Sequence, residues 1–402
     1  MLQEYRRNLY QIGIRIQWVS DMFIPVGKLV IALVWAFWMM GVDSSLGREH
    51  NDTEEQIRKI IKVTDNDDEN PEYFPTYGST FDKIIENGVL NCGTKLDFAG
   101  FSERDFDEET GLEWHGFDVD ICRAVASAIF GDKTYVEFID VDGKTRFEYL
   151  IDGTIDMLSA ATTYTFSRNV SKKLEFLPTT YYDGQGFITK KTLGVSSAKQ
   201  MAGAKVCMSS TGTARKNIRD FFTVHEINFI PIIVPVGEKA KDWYLRGDCD
   251  MYGTDRSGLA SNRTTFKDAE WHIILPEIIS KEPLGPVVKY GDQKFSDIVR
   301  WTIYVLFLAE ELGITSENVE DFVEHKDPNI KRFMGELNGK DHPHLGAKLG
   351  LNSTWASDII REVGNYKEIY ERNLGEKTQL NLSRGLNKLY KDGGLLYAPP
   401  LR

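Results

Sequence analysis

The sequence has few cysteines and no cluster of positive charge. Its 402 residues include 4 cysteines, and the formal net charge is -12. Because binding to a phosphate backbone needs clustered Lys and Arg, this acidic balance argues against nucleic acid as a partner. The cysteines form neither a CxxC metal pair nor a dense disulfide scaffold, and their number fits two disulfides as well as four buried thiols.

Signatures of catalysis and of metal binding are also missing. The phrase GKT at residues 143–145 resembles the end of a phosphate-binding loop, but Phe138 stands where that loop requires glycine. The chain has no GxSxG elbow and no HExxH helix. His342 and His344 lie in a polar stretch without thiols or carboxylates at ligand spacing. We therefore expect a protein that is not an enzyme and that holds no metal or cofactor.

One long apolar run is present near the start of the chain. Residues 22–42, MFIPVGKLVIALVWAFWMMGV, contain one charge, Lys28, and are long enough to span a bilayer. An amphipathic basic stretch precedes the run and acidic residues follow it, which predicts that the N-terminus lies on the cytoplasmic or matrix side. We expect residues 1–42 to form a basic start and an uncleaved single-pass anchor in the lipid bilayer. A buried core helix is the alternative.

After the anchor, residues 43–77 are rich in acidic residues and prolines, which predicts a linker. From about residue 78, predicted strands and helices alternate in two series of similar order and size. Such alternation predicts parallel sheets, with ligands bound at the carboxyl ends of their strands. The first series has strands at 89–92, 135–139 and 155–158 with helices at 81–88, 116–130 and 146–151. The second has strands at 204–208, 229–234 and 249–252 with helices at 213–224, 239–246 and 257–266. A strand is then predicted at 287–290, followed by a long helix at 295–312. The apolar run of this helix is too short to cross a membrane.

The stretch from 155 to 183 carries the clearest candidate site. Its apolar run at 155–158 predicts a strand, and hydroxyl side chains then surround one cation, Arg168. A guanidinium can grip a carboxylate with two hydrogen bonds, and free N–H groups at a helix start add donors. The stretch therefore predicts a carboxylate-binding site.

Several long phrases of the sequence are similar to one family. They include GFDVDICRAVASAIFGD, ATTYTFSRN, YYDGQGF, YLRGDCDMYGTDRSGL, LPEIISKEPLGP and the closing YAPP. From about residue 80 to 402 the chain resembles the periplasmic solute-binding proteins of bacterial ABC transporters, in the general L-amino acid-binding branch of the polar amino acid family. The resemblance implies a bilobed type II periplasmic-binding-protein fold, α/β in class, with two lobes joined by a hinge. The expected boundaries are 78–186 for the first part of lobe one, 187–286 for lobe two and 287–402 for the rest of lobe one.

The resemblance also implies roles for particular residues. Thr163 and Arg168 are expected to hold the carboxylate of an amino acid, and Asp255 its α-ammonium. The start of a lobe-two helix is expected to add donors, from Ser210, Thr211, Gly212 and Thr213. An α-amino acid needs a cation at one end and an anion at the other, so this set agrees with the reading of the residues themselves.

Three further positions are expected to shape the pocket. Lys95 stands where the wider family reads the ligand side chain, and an ammonium there favours acidic or amide side chains or pairs with Asp255. Phe98 is expected beside it. Ala161 stands where this branch usually has a larger polar residue, so it could widen the pocket.

The implied architecture leaves other questions open. Cys92 and Cys122 fall in the first lobe and Cys207 and Cys249 in the second, so two disulfides within lobes are possible. The expected role is a tethered amino acid-binding protein that works with a permease. The alternative is an accessory subunit of a membrane complex, for example in the mitochondrial inner membrane, facing the intermembrane space instead of a periplasm. Formal glycosylation sequons keep a secretory route open, at Asn51, Asn169, Asn262, Asn352 and Asn381.

Overall fold

The structure is a computed structural model that describes residues 79–107, 111–336 and 345–402. The predicted anchor at 22–42 and the predicted linker at 43–77 lie outside this part of the chain, as do His342 and His344. Within the described residues no helix is both long and apolar enough to cross a bilayer. The predicted helix at 295–312 is observed as Gln293–Leu312, and its buried face confirms that it is a core helix.

The first lobe contains a five-stranded sheet. Its strands lie in the spatial order Val136–Asp140, Leu90–Thr94, Met157–Leu158, Val287–Lys289 and Leu174–Phe176. The first three are parallel to one another, whereas Val287–Lys289 runs antiparallel to both of its neighbours. The expectation of a wholly parallel sheet was therefore incomplete, because a strand that returns from the second lobe joins the sheet in the opposite direction.

The second lobe repeats this plan. Its strands lie in the order Ile230–Val234, Lys205–Ser209, Met251–Asp255, Gln185–Lys190 and His272–Ile274. Again one strand is reversed: Gln185–Lys190 runs antiparallel to both of its neighbours, and the other four strands run in one direction. The prediction of two α/β lobes, each with its own sheet, is confirmed as a mixed α/β fold.

The helices cover both sheets and begin and end within a few residues of the predicted positions where a prediction was made. Ser79 caps the first helix by accepting a hydrogen bond from the N–H of Asp82 at 3.2 Å, and Gly88 ends it in the left-handed region at φ 68°. The α-helices of the described residues are Thr80–Asn87, Phe117–Phe130, Thr145–Asp152, Ala214–Val224, Ala240–Arg246, Arg256–Thr264, Gln293–Leu312, Pro328–Phe333, Trp355–Val363 and Tyr366–Asn373.

Two short antiparallel pairs complete the described strands. Glu103–Asp107 pairs with Gly111–His115 in a hairpin of the first lobe. Tyr181–Asp183 pairs with Glu282–Leu284 where the chain passes between the two sheets. We call this second pair the hinge strands, since the chain enters the second sheet just after one of them and leaves it just before the other.

The main core lies in the first lobe. Phe117–Phe130 is buried between the sheet and two later helices, Gln293–Leu312 and Trp355–Val363. Its face includes Cys122, which is fully buried. Because this packing joins segments far apart in sequence, the first lobe needs the C-terminal part of the chain to complete its core.

Candidate functional site

A cavity of about 440 Å³ lies between the two lobes, at the carboxyl ends of the parallel strands. Ser210 does not line it; the Ser210 hydroxyl is buried without a hydrogen-bond partner, and Ser209 lines the wall instead. The structure brings together the other sequence-predicted residues in this wall: Lys95, Phe98, Ala161, Thr163, Arg168, Thr211, Gly212, Thr213 and Asp255.

Arg168 enters the cavity from a single π-helical turn, Ser167–Ser171. The residue is buried, and its Nη1 donates to the carbonyl oxygen of Thr163 at 2.6 Å. This bond fixes the guanidinium beside the turn that follows the strand Met157–Leu158. Burial lowers the pKa of Arg168, and the negative charges of Glu282 and Asp255 oppose that effect.

A second arginine, Arg146, lines the same wall and was not among the predicted site residues. Its Cζ lies 4.7 Å from the ring centroid of Phe147, and the Cζ of Arg168 lies 5.5 Å from the same ring. Burial, with repulsion from Arg168, lowers the pKa of Arg146 to about 9. The Nε of Arg146 is buried and has no hydrogen-bond partner.

Lys95 extends from the loop after the first strand, and its exposed surface faces the cavity. Its Nζ lies 4.7 Å from the ring centroid of Phe98, in a cation–π contact. Surrounding protein and repulsion from Arg146 lower the pKa of Lys95, and attraction to Asp255 opposes this. Lys95 and Asp255 attract each other through space, but they are not close enough to form an ion pair.

Asp118 supports this wall from behind and was also missed by sequence reasoning. Its carboxylate accepts hydrogen bonds from the hydroxyl of Ser159 at 3.0 Å and from the N–H of Ala161 at 2.8 Å. Ala161 has a φ of 42°, a left-handed conformation that costs a non-glycine residue energy. Asp118 therefore stabilises the turn that carries Thr163. Burial raises the pKa of Asp118 to about 6, and Lys95 opposes this.

Asp255 faces these cations from the end of its strand in the second lobe. Its Oδ1 accepts a hydrogen bond from Nε2 of Gln185 at 2.9 Å. Burial raises the pKa of Asp255 to about 7, and the neighbouring charges of Asp183 and Glu282 add to the rise. Asp255 forms no ion pair with a described residue, so a cation that enters the cavity would stabilise its ionised form.

Glu282 lies behind Asp255 on a hinge strand. Its carboxylate accepts hydrogen bonds from Thr213 at 3.1 Å, from Asn217 at 2.9 Å and from Ser280 at 2.7 Å. These neutral donors come from the helix start of the second lobe and from the hinge, so the hydrogen bonds tie the two together. Asp183, on the other hinge strand, accepts from the N–H of Ser257 at 3.1 Å.

The two lobes approach closely at the mouth of the cavity. A Cβ added to Gly143 would lie 2.5 Å from the hydroxyl oxygen of Thr211, which belongs to the other lobe. Nearby, Nζ of Lys239 lies 3.2 Å from Oδ2 of Asp97, again across the cleft. A side chain at 143 would therefore force Thr211 to shift, and the two lobes are in contact at this mouth of the cleft.

The sequence matches the bacterial extracellular solute-binding proteins, family 3, over residues 90–376. The chain belongs to this family. The family is defined by solute binding and not by catalysis. Among the described residues no group of three His, Cys, Asp or Glu side chains is arranged to hold a metal ion.

Several individual proteins are similar to this solute-binding protein over most of its length. It is 44% identical to the general L-amino acid-binding periplasmic protein AapJ of Rhizobium johnstonii, over 81% of this chain and 93% of that one. It is 43% identical to the glutamate/glutamine/aspartate/asparagine-binding protein BztA of Rhodobacter capsulatus, over 81% and 94%. An ABC transporter periplasmic binding protein from Brucella ovis, solved with glutathione bound, superposes with a TM-score of 0.77 at 42% identity, covering 81% of this chain and 100% of that one.

The four cysteines are joined in pairs within the solute-binding protein. Cys92 is bonded to Cys122 in the first lobe, with Cα atoms 6.2 Å apart, and Cys207 to Cys249 in the second, with Cα atoms 5.7 Å apart. The first bond links the strand Leu90–Thr94 to the helix Phe117–Phe130. The second links the strand Lys205–Ser209 to the loop just before the strand Met251–Asp255. Neither lies in the cavity wall.

Sequence reasoning missed Arg146 and Asp118 for different reasons. Arg146 begins the predicted helix at 146–151, and nothing in its local sequence distinguishes it from a surface arginine. Asp118 lies in the first turn of Phe117–Phe130, where a carboxylate commonly stabilises a helix start. Its three-dimensional neighbour, the turn at Ala161, is 43 residues away in sequence, and only the fold brings the two together.

Proposed function

We propose that this solute-binding protein clamps an L-α-amino acid between its lobes on the extracytoplasmic side of a membrane and presents it to an ABC permease. In this proposal Arg168 and Thr163 bind the α-carboxylate, and Asp255 accepts hydrogen bonds from the α-ammonium. The observation that carries the proposal is that Arg168 and Asp255 line one cavity from opposite lobes. Neither forms an ion pair within the part of the chain that the structure describes, so each is available to a zwitterion.

The start of the helix Ala214–Val224 supports the same assignment. Thr211, Gly212 and Thr213 line the cavity just before this helix. Unpaired N–H groups at a helix start favour an anion, and a carboxylate that reaches both lobes would hold the cleft closed. We propose that these residues complete the carboxylate site from the second lobe.

We further propose a preference for acidic and amide side chains. Lys95 lies in the same cavity, where its ammonium repels a cationic side chain and donates hydrogen bonds to an oxygen. The name of one relative supports acidic and amide ligands, since BztA is named as a glutamate/glutamine/aspartate/asparagine-binding protein. The name of AapJ supports amino acid ligands in general.

The proposal includes the tether and the lobe boundaries. Residues 22–42 form a single membrane span, supported by their apolar length and by the change from basic to acidic residues across them. The ligand-binding lobes comprise 78–186 with 287–402, and 187–286. Extraction of membranes with carbonate tests the tether, because an intact chain released into the soluble fraction would contradict it.

Calorimetry on the full chain tests the clamp. We expect saturable binding of at least one acidic or amide amino acid. Replacing Arg168 by alanine should weaken binding by about 2–5 kcal/mol, because the desolvated carboxylate loses its partner. Arg219→Ala, which removes an exposed arginine from the helix Ala214–Val224, is the matched control. Equal affinities for Arg168→Ala and the control would contradict the assignment of the clamp.

A further inference from the structure

The backbone of one hinge strand faces away from its partner strand. Tyr182 stands opposite Pro283, which has no N–H to donate. The carbonyl oxygen of Pro283 points outwards and accepts a hydrogen bond from the N–H of Tyr164 at 2.8 Å. Both backbone groups of Tyr182 point to the other side of the ribbon, where they bond the side chain of Asn387 at 2.6 and 3.2 Å. This is the arrangement of a non-hydrogen-bonded pair in an antiparallel ladder, whose free groups bond to a third neighbour.

The side chain of Asn387 takes the place of that third neighbour. A carboxamide presents one acceptor and a donor group, the same kinds of group that a peptide unit of an adjacent strand would present. Asn387 is buried, so bulk water does not replace these bonds. A single side chain therefore does for Tyr182 what a whole strand does in a sheet.

The C-terminal segment, residues 377–402, fixes Asn387 to the first lobe. The Nη2 and Nε of Arg384 donate to the carbonyl oxygen of Asn387 at 2.7 and 2.9 Å. The same guanidinium forms a buried pair with both carboxylate oxygens of Glu310, at 2.7 and 3.0 Å. Leu389 and Leu396 of the segment are buried in the main core. Asn387 therefore moves with the first lobe.

The other end of the same hinge strand is held by the second lobe. Asp183 accepts a hydrogen bond from the N–H of Ser257 at 3.1 Å, and Ser257 lies in the first turn of a second-lobe helix. The strand therefore passes from one lobe to the other between Tyr182 and Asp183.

We propose that Asn387 is a positioning residue for the closure of the lobes, and that it acts through the hinge and not through the ligand. By holding Tyr182 to the first lobe, it confines the bending of this strand to the bond that follows Tyr182. Without Asn387 the bend spreads back along the strand, and the unliganded protein adopts the binding arrangement of the lobes less often.

This inference rests on the proposed function, in which the lobes separate to load and release an amino acid. The lobes touch at the mouth of the cavity, where Gly143 faces Thr211. If only a fraction of the molecules has the lobes in the binding arrangement, the apparent affinity falls by that fraction, whatever the ligand. A residue that touches the ligand instead changes the affinities of different ligands by different factors.

Calorimetry on the full chain with L-glutamate and L-glutamine tests this difference. We expect Asn387→Ala to weaken the binding of both by the same factor, about three- to tenfold. The matched control is Asn318→Ala. The amide of Asn318 also bonds two backbone groups of the first lobe, accepting from the N–H of Thr315 at 2.7 Å and donating to the carbonyl of Gly313 at 3.1 Å. The control should leave both affinities unchanged.

A distance measurement between the lobes needs no ligand. Spin labels are attached to the full chain through Glu148→Cys and Arg219→Cys, which lie at exposed positions on the helices that follow Gly143 and Thr211. The native cysteines are paired in disulfides and do not react with the label. In pulsed electron paramagnetic resonance we expect Asn387→Ala to give longer and broader distances than the labelled protein without this change, and the control to give the same distances.

A third variant, Asn387→Asp, keeps the shape of the side chain. Its ionised carboxylate accepts from the N–H of Tyr182 but cannot donate to the carbonyl, whereas the protonated acid can do both. Its affinity relative to the unsubstituted chain at the same pH should therefore rise as the pH falls. This variant also replaces Asn387→Ala if the alanine variant does not fold.

Unchanged label distances would overturn the proposal, even with weaker binding, because the loss would then be one of stability alone. Clearly different factors for glutamate and glutamine would also overturn it, since they would mean that Asn387 acts on the ligand. If no amino acid binds to the unsubstituted chain, the proposed function fails, and the label distances still show whether Asn387 controls the hinge.

Discussion

The side chain of Asn387 forms hydrogen bonds with both backbone groups of Tyr182. Its Oδ1 accepts from the N–H at 2.6 Å, and its Nδ2 donates to the carbonyl at 3.2 Å. Tyr182 is the middle residue of a hinge strand. Arg384 fixes the C-terminal side of this contact, since its Nη2 donates to the carbonyl of Asn387 at 2.7 Å and its guanidinium pairs with Glu310. The C-terminal segment is therefore attached directly to the hinge.

Replacing Asn387 by alanine should lower the free energy of unfolding by about 1–3 kcal/mol, because it leaves two backbone groups of Tyr182 without partners. Urea unfolding of the full chain measures this change. The control is Lys388→Ala, which removes an exposed side chain from the next position. If both variants unfold at the same urea concentration as the unsubstituted protein, the contact contributes nothing to stability.

The sequence predicted the alternation of strands and helices well, because those elements have apolar periodicity and clear ends. The helix predicted at 81–88 ends at Gly88, as expected for a residue that adopts a positive φ at no steric cost. The hinge strands were not predicted. Each has three residues, and Glu282–Leu284 contains a proline, so neither shows the alternation by which strands are recognised.

The site was predictable only where a residue's own sequence neighbours indicate its role. Arg168 lies in a hydroxyl-rich stretch that itself indicates a carboxylate, and Asp255 follows from family resemblance. Gln185, which donates a hydrogen bond to Asp255, lies 70 residues before it, and the family phrase YYDGQGF that contains it assigns it no role. Residues that support a site from another strand become visible only when the fold brings the strands together.

Removing the disulfide of the second lobe should destabilise the protein. Cys207 and Cys249 close a loop of 42 residues in sequence separation, and a link of that length typically contributes about 2–4 kcal/mol. The double variant Cys207→Ala, Cys249→Ala should therefore unfold at lower urea concentration, and a reductant should affect it less than the unsubstituted chain. Equal stability of the two proteins under oxidising conditions would show that the link contributes nothing.

The ion pair between Lys239 and Asp97 should matter little to ligand affinity, although it crosses the cleft. The side chains are 55% and 63% exposed, and exposed pairs contribute about 0–1 kcal/mol. We expect Asp97→Asn to weaken binding less than about fivefold and the difference to disappear in high salt. Asn also tolerates the positive φ of 59° at this position. A loss as large as that of Arg168→Ala would mean that this pair, and not the ligand, holds the lobes together.

The stability of the unliganded protein should fall as pH rises, because of Asp255. Burial and the charges of Asp183 and Glu282 raise its pKa from 3.8 to about 7, so between these values the native state binds more protons at this site than the unfolded state. This contribution is fully present below about pH 4 and is lost as pH rises to about 7. Asp255→Asn removes it, and the amide oxygen can still accept the hydrogen bond from Gln185. We expect thermal unfolding without ligand to show this variant more stable than the unsubstituted chain at pH 8, with the difference shrinking towards pH 4. Asp220→Asn, on the exposed face of Ala214–Val224, should show no such trend. A difference that stays constant with pH would mean that Asp255 is already ionised without cost.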